Sequence, residues 1–234
     1  MPQFPSGQTL LIDADDTLWE NNVYFERAIA AFISYLDHRT HSPAQVRQVL
    51  NACEHETIAA HGYGLSSFRR SLVSCYRRLA VHPVTDEHVE CIHAFTRVVH
   101  EHPIELLPGV AETLSGLARS HRLILMTKGD TAEQAGKLDR SGLAAHFSAV
   151  EIVAEKDPAT YRAVAARHNL QLASSWMIGN SPKSDINPAL AAGFHAVFLV
   201  HSDTWVLEHA EVSTPPPGQQ LIELDAFARL SEIF

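Results

Sequence analysis

Short apolar runs of strand length recur along this chain, and segments of helix length separate most of them. That alternation leaves few folds open. The runs are residues 8–13, 122–127, 148–153, 175–179 and 195–200, with a weaker one at 220–224. Most are apolar throughout, without clean alternation, as suits parallel strands covered on both faces. Helix-like segments fall at 109–119, 130–140, 158–168 and 185–192. Strand alternating with helix implies a parallel sheet with right-handed crossovers. Residues 20–104 break the rhythm. Their apolar side chains fall at helical spacing: Phe25, Ile29, Phe32, Ile33, Leu36; Val46, Val49, Leu50, Cys53; Phe68, Leu72, Cys75, Tyr76, Leu79; Val89, Ile92, Phe95, Val99. Turn signals at His41-Ser42-Pro43, Gly62-Tyr63-Gly64 and His82-Pro83 divide them, so four helices are expected here, inserted between the first and second strands.

Composition narrows the partners. The 234 residues are 46% apolar and 19% charged, which is ordinary for a globular chain. The net charge of −9 argues against broad binding to nucleic acid or anionic membranes, though not against a local anion site. No apolar run nears the ~20 residues of a membrane span, and the start lacks a basic region followed by an apolar stretch. Cys53, Cys75 and Cys91 form no CxxC pair, which suits reduced thiols in a cytoplasmic protein.

In open α/β sheets ligands sit beyond the carboxyl ends of the strands, so the residues ending each run carry the chemistry. The first run ends Asp13-Ala14-Asp15-Asp16-Thr17. Two carboxylates two residues apart on an extended chain share a face, which is costly without a cation between them; aspartates also make turns and caps. The second run ends Thr127-Lys128-Gly129-Asp130. A hydroxyl there precedes a helix start, with Asp130 as cap, and exposed amides at a helix start favour an anion. Glu155-Lys156-Asp157-Pro158 holds Lys156 just before a helix, with Asp157 as cap and Pro158 in first position. Gly179-Asn180-Ser181-Pro182-Lys183-Ser184-Asp185 offers Asp185 as helix cap or cation ligand, and Asn180 as a neutral oxygen donor.

The order of these residues, each at a strand end, is more specific than any one of them. In this respect the chain resembles the haloacid dehalogenase-like superfamily, in its phosphatase branch. The DxDxT signature is Asp13-Ala14-Asp15-Asp16-Thr17, the second-strand hydroxyl Thr127, the third-motif lysine Lys156 and the last acid Asp185. The resemblance implies a Rossmann-like α/β core of residues 1–19 and 105–234 and an all-helical cap of residues 20–104. It implies Asp13 as nucleophile, forming an aspartyl-phosphate, and Asp15 as general acid, then base. Thr127 and Lys156, with Lys128 beside the hydroxyl, would bind the phosphoryl group. Asp13, Asp15 through its carbonyl, and Asp185 would hold Mg²⁺, with Asn180 where the family often has an acid. The expected substrate is a small phosphorylated metabolite. Dehalogenases of the superfamily lack an acid two residues after the nucleophile and need no metal, so Asp15 favours phosphate ester hydrolysis. A metal-independent 2-haloacid dehalogenase, and a non-catalytic member binding a phosphorylated ligand or protein, are the alternatives.

Other patterns carry less. His55 and His61 are six residues apart, so they do not share a helix face as a zinc pair would. Arg69 and Arg70 are candidates for a substrate anion, against an ordinary solvated helix face. Trp205 fits a site rim or the core equally well.

Overall fold

The computed structural model describes residues 3–36 and 40–234; residues 37–39 of the expected helical insert lie outside the described part. The chain forms two compact units. One runs to Glu20 and resumes as Ile104–Phe234; the other is Asn21–Pro103.

The first unit is built on β1 (Thr9–Ile12), β2 (Arg122–Lys128), β3 (Ala149–Val153), β4 (Ser175–Gly179), β5 (His195–Leu199) and β6 (Leu221–Leu224). All pairings are parallel, in the order β3-β2-β1-β4-β5-β6. The central strands are apolar on both faces. Leu10, Ile12, Leu125, Trp176 and Ile178 join one core cluster, while Leu11, Ile124, Met126 and Met177 join another with Tyr161 and Phe194. Each such side chain removed from water contributes roughly 1.5–3 kcal/mol.

The chain leaves β1 toward β2 and β3, then returns to place β4 on the other side of β1. That reversal opens a crevice at the strand ends. Ile12 is level with Ile178, and the Asp13 N–H donates to the Ile178 carbonyl at 2.9 Å. The residues following β1 and β4 therefore emerge side by side.

The second unit contains α1 (Asn22–Tyr35), α2 (Pro43–His61), α3 (Leu65–Leu79), α4 (Asp86–Phe95) and α5 (Arg97–Glu101). Ile29, Phe32, Val46, Leu50, Phe68, Leu72 and Ile92 form its core. Ser42 opens α2 with a reciprocal cap to Gln45. Among the described residues the four expected helices are five, because the last is broken at Thr96. The Thr96 hydroxyl donates to the His93 carbonyl at 2.7 Å and accepts from Arg69 Nε at 2.8 Å. Such a bond competes with the helical ladder. Arg69 is thus committed to the interior of this unit, while Arg70 is exposed.

The first unit adds α6 (Val110–Leu117), α7 (Thr131–Ser141), α8 (Pro158–His168), α9 (Asn187–Ala192) and α10 (Leu230–Ile233). The helix expected over 185–192 begins earlier and differently: a π-helical turn, Pro182–Ile186, precedes α9. Among the described residues, no helix is long and apolar enough to cross a membrane.

Candidate active site

Asp13 leaves the tip of β1 and is buried. Its Oδ1 lies 2.5 Å from Lys156 Nζ, and that ammonium also reaches Asp185 Oδ1 at 2.7 Å. The other oxygen, Asp13 Oδ2, accepts from the Thr17 hydroxyl at 3.0 Å, and Asn180 Oδ1 is 3.3 Å from the same hydroxyl. Asn180 Nδ2 in turn donates to Thr204 Oγ1 at 3.1 Å. So Asp13, Lys156, and Asn180 with Asp185 are brought together from three separate stretches of chain.

Burial first, and then the neighbouring Asp185, push Asp13 upward; Lys156 opposes them, and the carboxyl settles at about 7. For Lys156 burial works against the charge, but Asp13 and Asp185 outweigh it and hold the ammonium above its ordinary range. Two carboxyl groups thus face one ammonium.

Two local features hold Asp185 in place. Its Oδ2 accepts the Ser181 N–H at 3.0 Å, across the π-helical turn, a geometry common at functional sites. Gly179 leaves room for it, since a Cβ there would lie 2.2 Å from Asp185 Oδ2. Asp185 is not the helix cap; the Ser181 side chain takes that part, accepting from the Ser184 N–H.

Asp15 departs from the expected arrangement. Instead of sharing a cation with Asp13, its carboxylate turns to its own lysine. Lys137 Nζ lies 2.9 Å from both oxygens, Gln134 Nε2 donates to Oδ2 at 2.9 Å and Trp19 Nε1 to Oδ1 at 2.7 Å. Burial pushes Asp15 up, but Lys137, with the hydrogen bonds from Lys137, Gln134 and Trp19, holds the carboxyl below its usual range. The repulsion read from the DxD spacing is relieved by two separate cations.

Thr127 is buried at the end of β2, its hydroxyl 3.4 Å from Gln134 Oε1. Lys128 is directed to a different set of groups: Glu208 at 2.6 Å, Ser184 Oγ at 2.7 Å and Glu155 at 3.5 Å. The ammonium considered for phosphate binding is therefore engaged with acids. The amides considered for an anion at the start of α7 are taken too, since Asp130 Oδ1 accepts from Ala132 and Glu133 at 3.0 Å each.

Sequence reading missed Gln134, Lys137, Thr204 and Glu208. The first two had one legible signal, a spacing of three on a helix; the others had none. Trp205 precedes the short helical turn Val206–Glu208 that carries Glu208 inward, where Ser181 Oγ donates to it at 2.6 Å. His55 and His61 are both exposed on α2. All three cysteines are free; Cys53 and Cys75 are buried and Cys91 is half-buried. Among the described residues, Asp16, Glu20 and His201 also gather possible ligand atoms within 4.8 Å of one another.

A doubly wound parallel sheet whose charged residues converge at the reversal of strand order is the architecture of an α/β enzyme. The family model described as haloacid dehalogenase-like hydrolase matches residues 8–193, and the chain belongs to this family of hydrolases. The chain is similar to the crystal structure of a haloacid dehalogenase-like family hydrolase from Xanthomonas campestris, with TM-score 0.80 and 30% identity over 97% of this chain and 93% of that one. It shares its fold with the HAD-hydrolase YfnB from Bacillus subtilis, a structure bound to magnesium (TM-score 0.66, 17% identity, 97% and 96% covered). It shares it also with an L-2-haloacid dehalogenase from Xanthobacter autotrophicus (TM-score 0.63, 16% identity, 96% of each chain). No curated protein matches the sequence.

Proposed function

We propose that this hydrolase is a Mg²⁺-dependent phosphatase acting on a small phosphorylated metabolite through an aspartyl-phosphate on Asp13. One observation carries the reading. The chain holds two carboxylates with separate lysines, Asp13 on Lys156 and Asp15 on Lys137, so a nucleophile and a proton carrier are kept distinct.

In the first half of the reaction an Asp13 oxygen bonds to phosphorus as the ester oxygen departs. Lys156, buried and charged, offsets the repulsion between an anionic nucleophile and an anionic ester. Thr127, whose hydroxyl stands at the neighbouring strand end, would bind a phosphoryl oxygen. In the second half water attacks the phosphoryl group, the Asp13–phosphorus bond breaks and Asp15 takes the proton. Asp15 is held here as a carboxylate, the state that this second half needs. The leaving-group half needs its protonated form.

The residues present suit a hard divalent cation. Asp13, Asp185 and Asn180 are all oxygen donors, two carboxyl groups face a single ammonium, and Thr17 links an Asp13 oxygen to the Asn180 oxygen. Asp13, Asp185 and the Asp15 carbonyl would hold Mg²⁺, with Asn180 in or beside its shell. When bound it neutralises charge on the phosphoryl oxygens. The helical unit Asn21–Pro103 occupies the family cap's place in the sequence and would choose the substrate.

The test is a panel of phosphate monoesters assayed with Mg²⁺ and with EDTA, alongside 2-haloacids. Phosphate release that EDTA stops, and that Asp13→Asn removes, is expected. Halide release persisting in EDTA would establish a dehalogenase instead. Specific binding of a phosphorylated ligand without turnover would establish a non-catalytic member.

A further inference from the structure

We infer that Gln134 and Lys137, on one face of α7, are positioning residues that hold the Asp15 carboxylate and couple it to Thr127. The inference builds on the phosphatase reading, because it assigns a purpose to Asp15 and Thr127 in that reaction.

The geometry is specific. The two Asp15 oxygens receive four contacts, none of them from the Asp13–Lys156–Asp185 cluster: Lys137 Nζ at 2.9 Å to each, Gln134 Nε2 at 2.9 Å and Trp19 Nε1 at 2.7 Å. A carboxylate only accepts, so the buried Gln134 amide must turn its NH₂ toward Asp15. That choice leaves Gln134 Oε1 facing the Thr127 hydroxyl at 3.4 Å. The carboxylate of the first motif thereby sets the orientation of a hydroxyl on the next strand, through one side chain.

Two features support the placement. Gly129 leaves space for Gln134, since a Cβ there would come within 3.2 Å of its Nε2, and its φ of +142° is one that side chains rarely adopt. Asp130 caps α7, so the face carrying Gln134 and Lys137 starts from a fixed point. In the state described, Thr127 directs its proton to Gln134. Binding a phosphoryl oxygen redirects that proton, so Gln134 and substrate compete for it. Lys137 meanwhile keeps Asp15 in place as the proton carrier.

The experiment compares Lys137→Met, Lys137→Arg and Gln134→Leu in the full chain. One readout is the Trp19 indole N–H resonance, identified by its loss in Trp19→Phe; it reports on Asp15 without any need for turnover. The other is the split between kcat and KM with the best phosphate ester. Lys137→Met should shift the indole resonance and speed its hydrogen exchange at least tenfold. Its kcat should fall by about 10²-fold, the scale of a misplaced reacting group, with KM within twofold. Lys137→Arg should restore both readouts to within about threefold. Gln134→Leu should lower kcat by ~10-fold, the scale of a lost supporting hydrogen bond. The inference is overturned if Lys137→Met leaves the indole signal unchanged, or if Arg rescues neither readout. Should Lys137→Met fail to fold, Gln134→Leu and Lys137→Arg decide alone, an unaltered kcat in Gln134→Leu overturning the coupling. If the wild type hydrolyses no phosphate ester, the phosphatase reading fails, while the indole readout still decides whether Lys137 holds Asp15.

Discussion

The strand ends of the first unit and the core of the helical unit both bury acids, and they differ in the partners they supply. At the strand ends four acids have a lysine within hydrogen-bond reach: Lys156 for Asp13 and Asp185, Lys137 for Asp15, Lys128 for Glu208. In the helical unit Glu54 is buried, and among the described residues its Oε2 meets no hydrogen-bond partner. Burial pushes its carboxyl to about 7, with Arg47 opposing the rise and Glu26 adding to it. Lysines hold Asp15 and Glu208 below their usual range, and Asp13 rises to about 7 even against Lys156; Glu54 rises as far with no hydrogen bond to its Oε2. Preserving ionised groups out of water takes dedicated partners, and this chain spends them at the sheet edge.

The contrast is most severely tested at Lys156. Lys156→Met leaves Asp13 and Asp185 facing each other in the interior without a cation. Removing one partner of a buried pair typically costs about 3–5 kcal/mol. A urea midpoint at neutral pH should fall accordingly, and turnover should vanish. A variant as stable as the wild type would show that the pairing at the strand ends is dispensable.

Glu54 tests the other side. The folded protein keeps this proton up to about pH 7, while the unfolded chain releases it near its ordinary value of 4.5. Its folded value is raised, so its contribution is full below the unfolded value and is lost as pH rises through 7. At pH 8 the penalty is about 3 kcal/mol at most. Glu54→Gln should therefore match the wild type near pH 4.5 and be more stable at pH 8. Chemical denaturation at both values checks this, and an unchanged pH slope in the variant would count against it.

Gly179→Ala sharpens the geometry at the strand ends. The new methyl would sit 2.2 Å from Asp185 Oδ2, so the carboxylate must move. Overpacking of this kind costs about 1–3 kcal/mol, and hydrolysis should become more demanding of Mg²⁺. An unaltered Mg²⁺ titration would contradict the place given to Asp185. The smallest effect belongs to the helical unit. Thr96→Val removes the acceptor that Arg69 uses and should cost about 1 kcal/mol in thermal unfolding.

Much of this arrangement was legible from residue order. Asp13, Asn180 and Asp185 could be placed near one another because their runs end in a parallel sheet, and such a sheet puts all strand ends on one edge. The helical unit showed itself through apolar spacing, but the break at Thr96 did not, since it depends on Arg69 arriving from another helix. The π-helical turn at Pro182–Ile186 was likewise hidden, because nothing in Pro182-Lys183-Ser184 distinguishes it from an ordinary helix start. The partner of Asp15 was not legible. Spacing suggested a cation shared with Asp13, and the Asp15 carboxylate pairs with Lys137 instead.

By itself the sequence determined the strands, the helices and the edge on which the charged groups emerge, because burial periodicity and caps act over a few residues. Only the tertiary structure decided which cation meets which acid. Lys156 finds Asp13 from 143 positions away, Lys137 finds Asp15 from 122, and Lys128 finds Glu208 from 80. An ion pair acts over a few ångströms, and at those separations it is strand order and helix packing, not proximity along the chain, that bring two charges into reach.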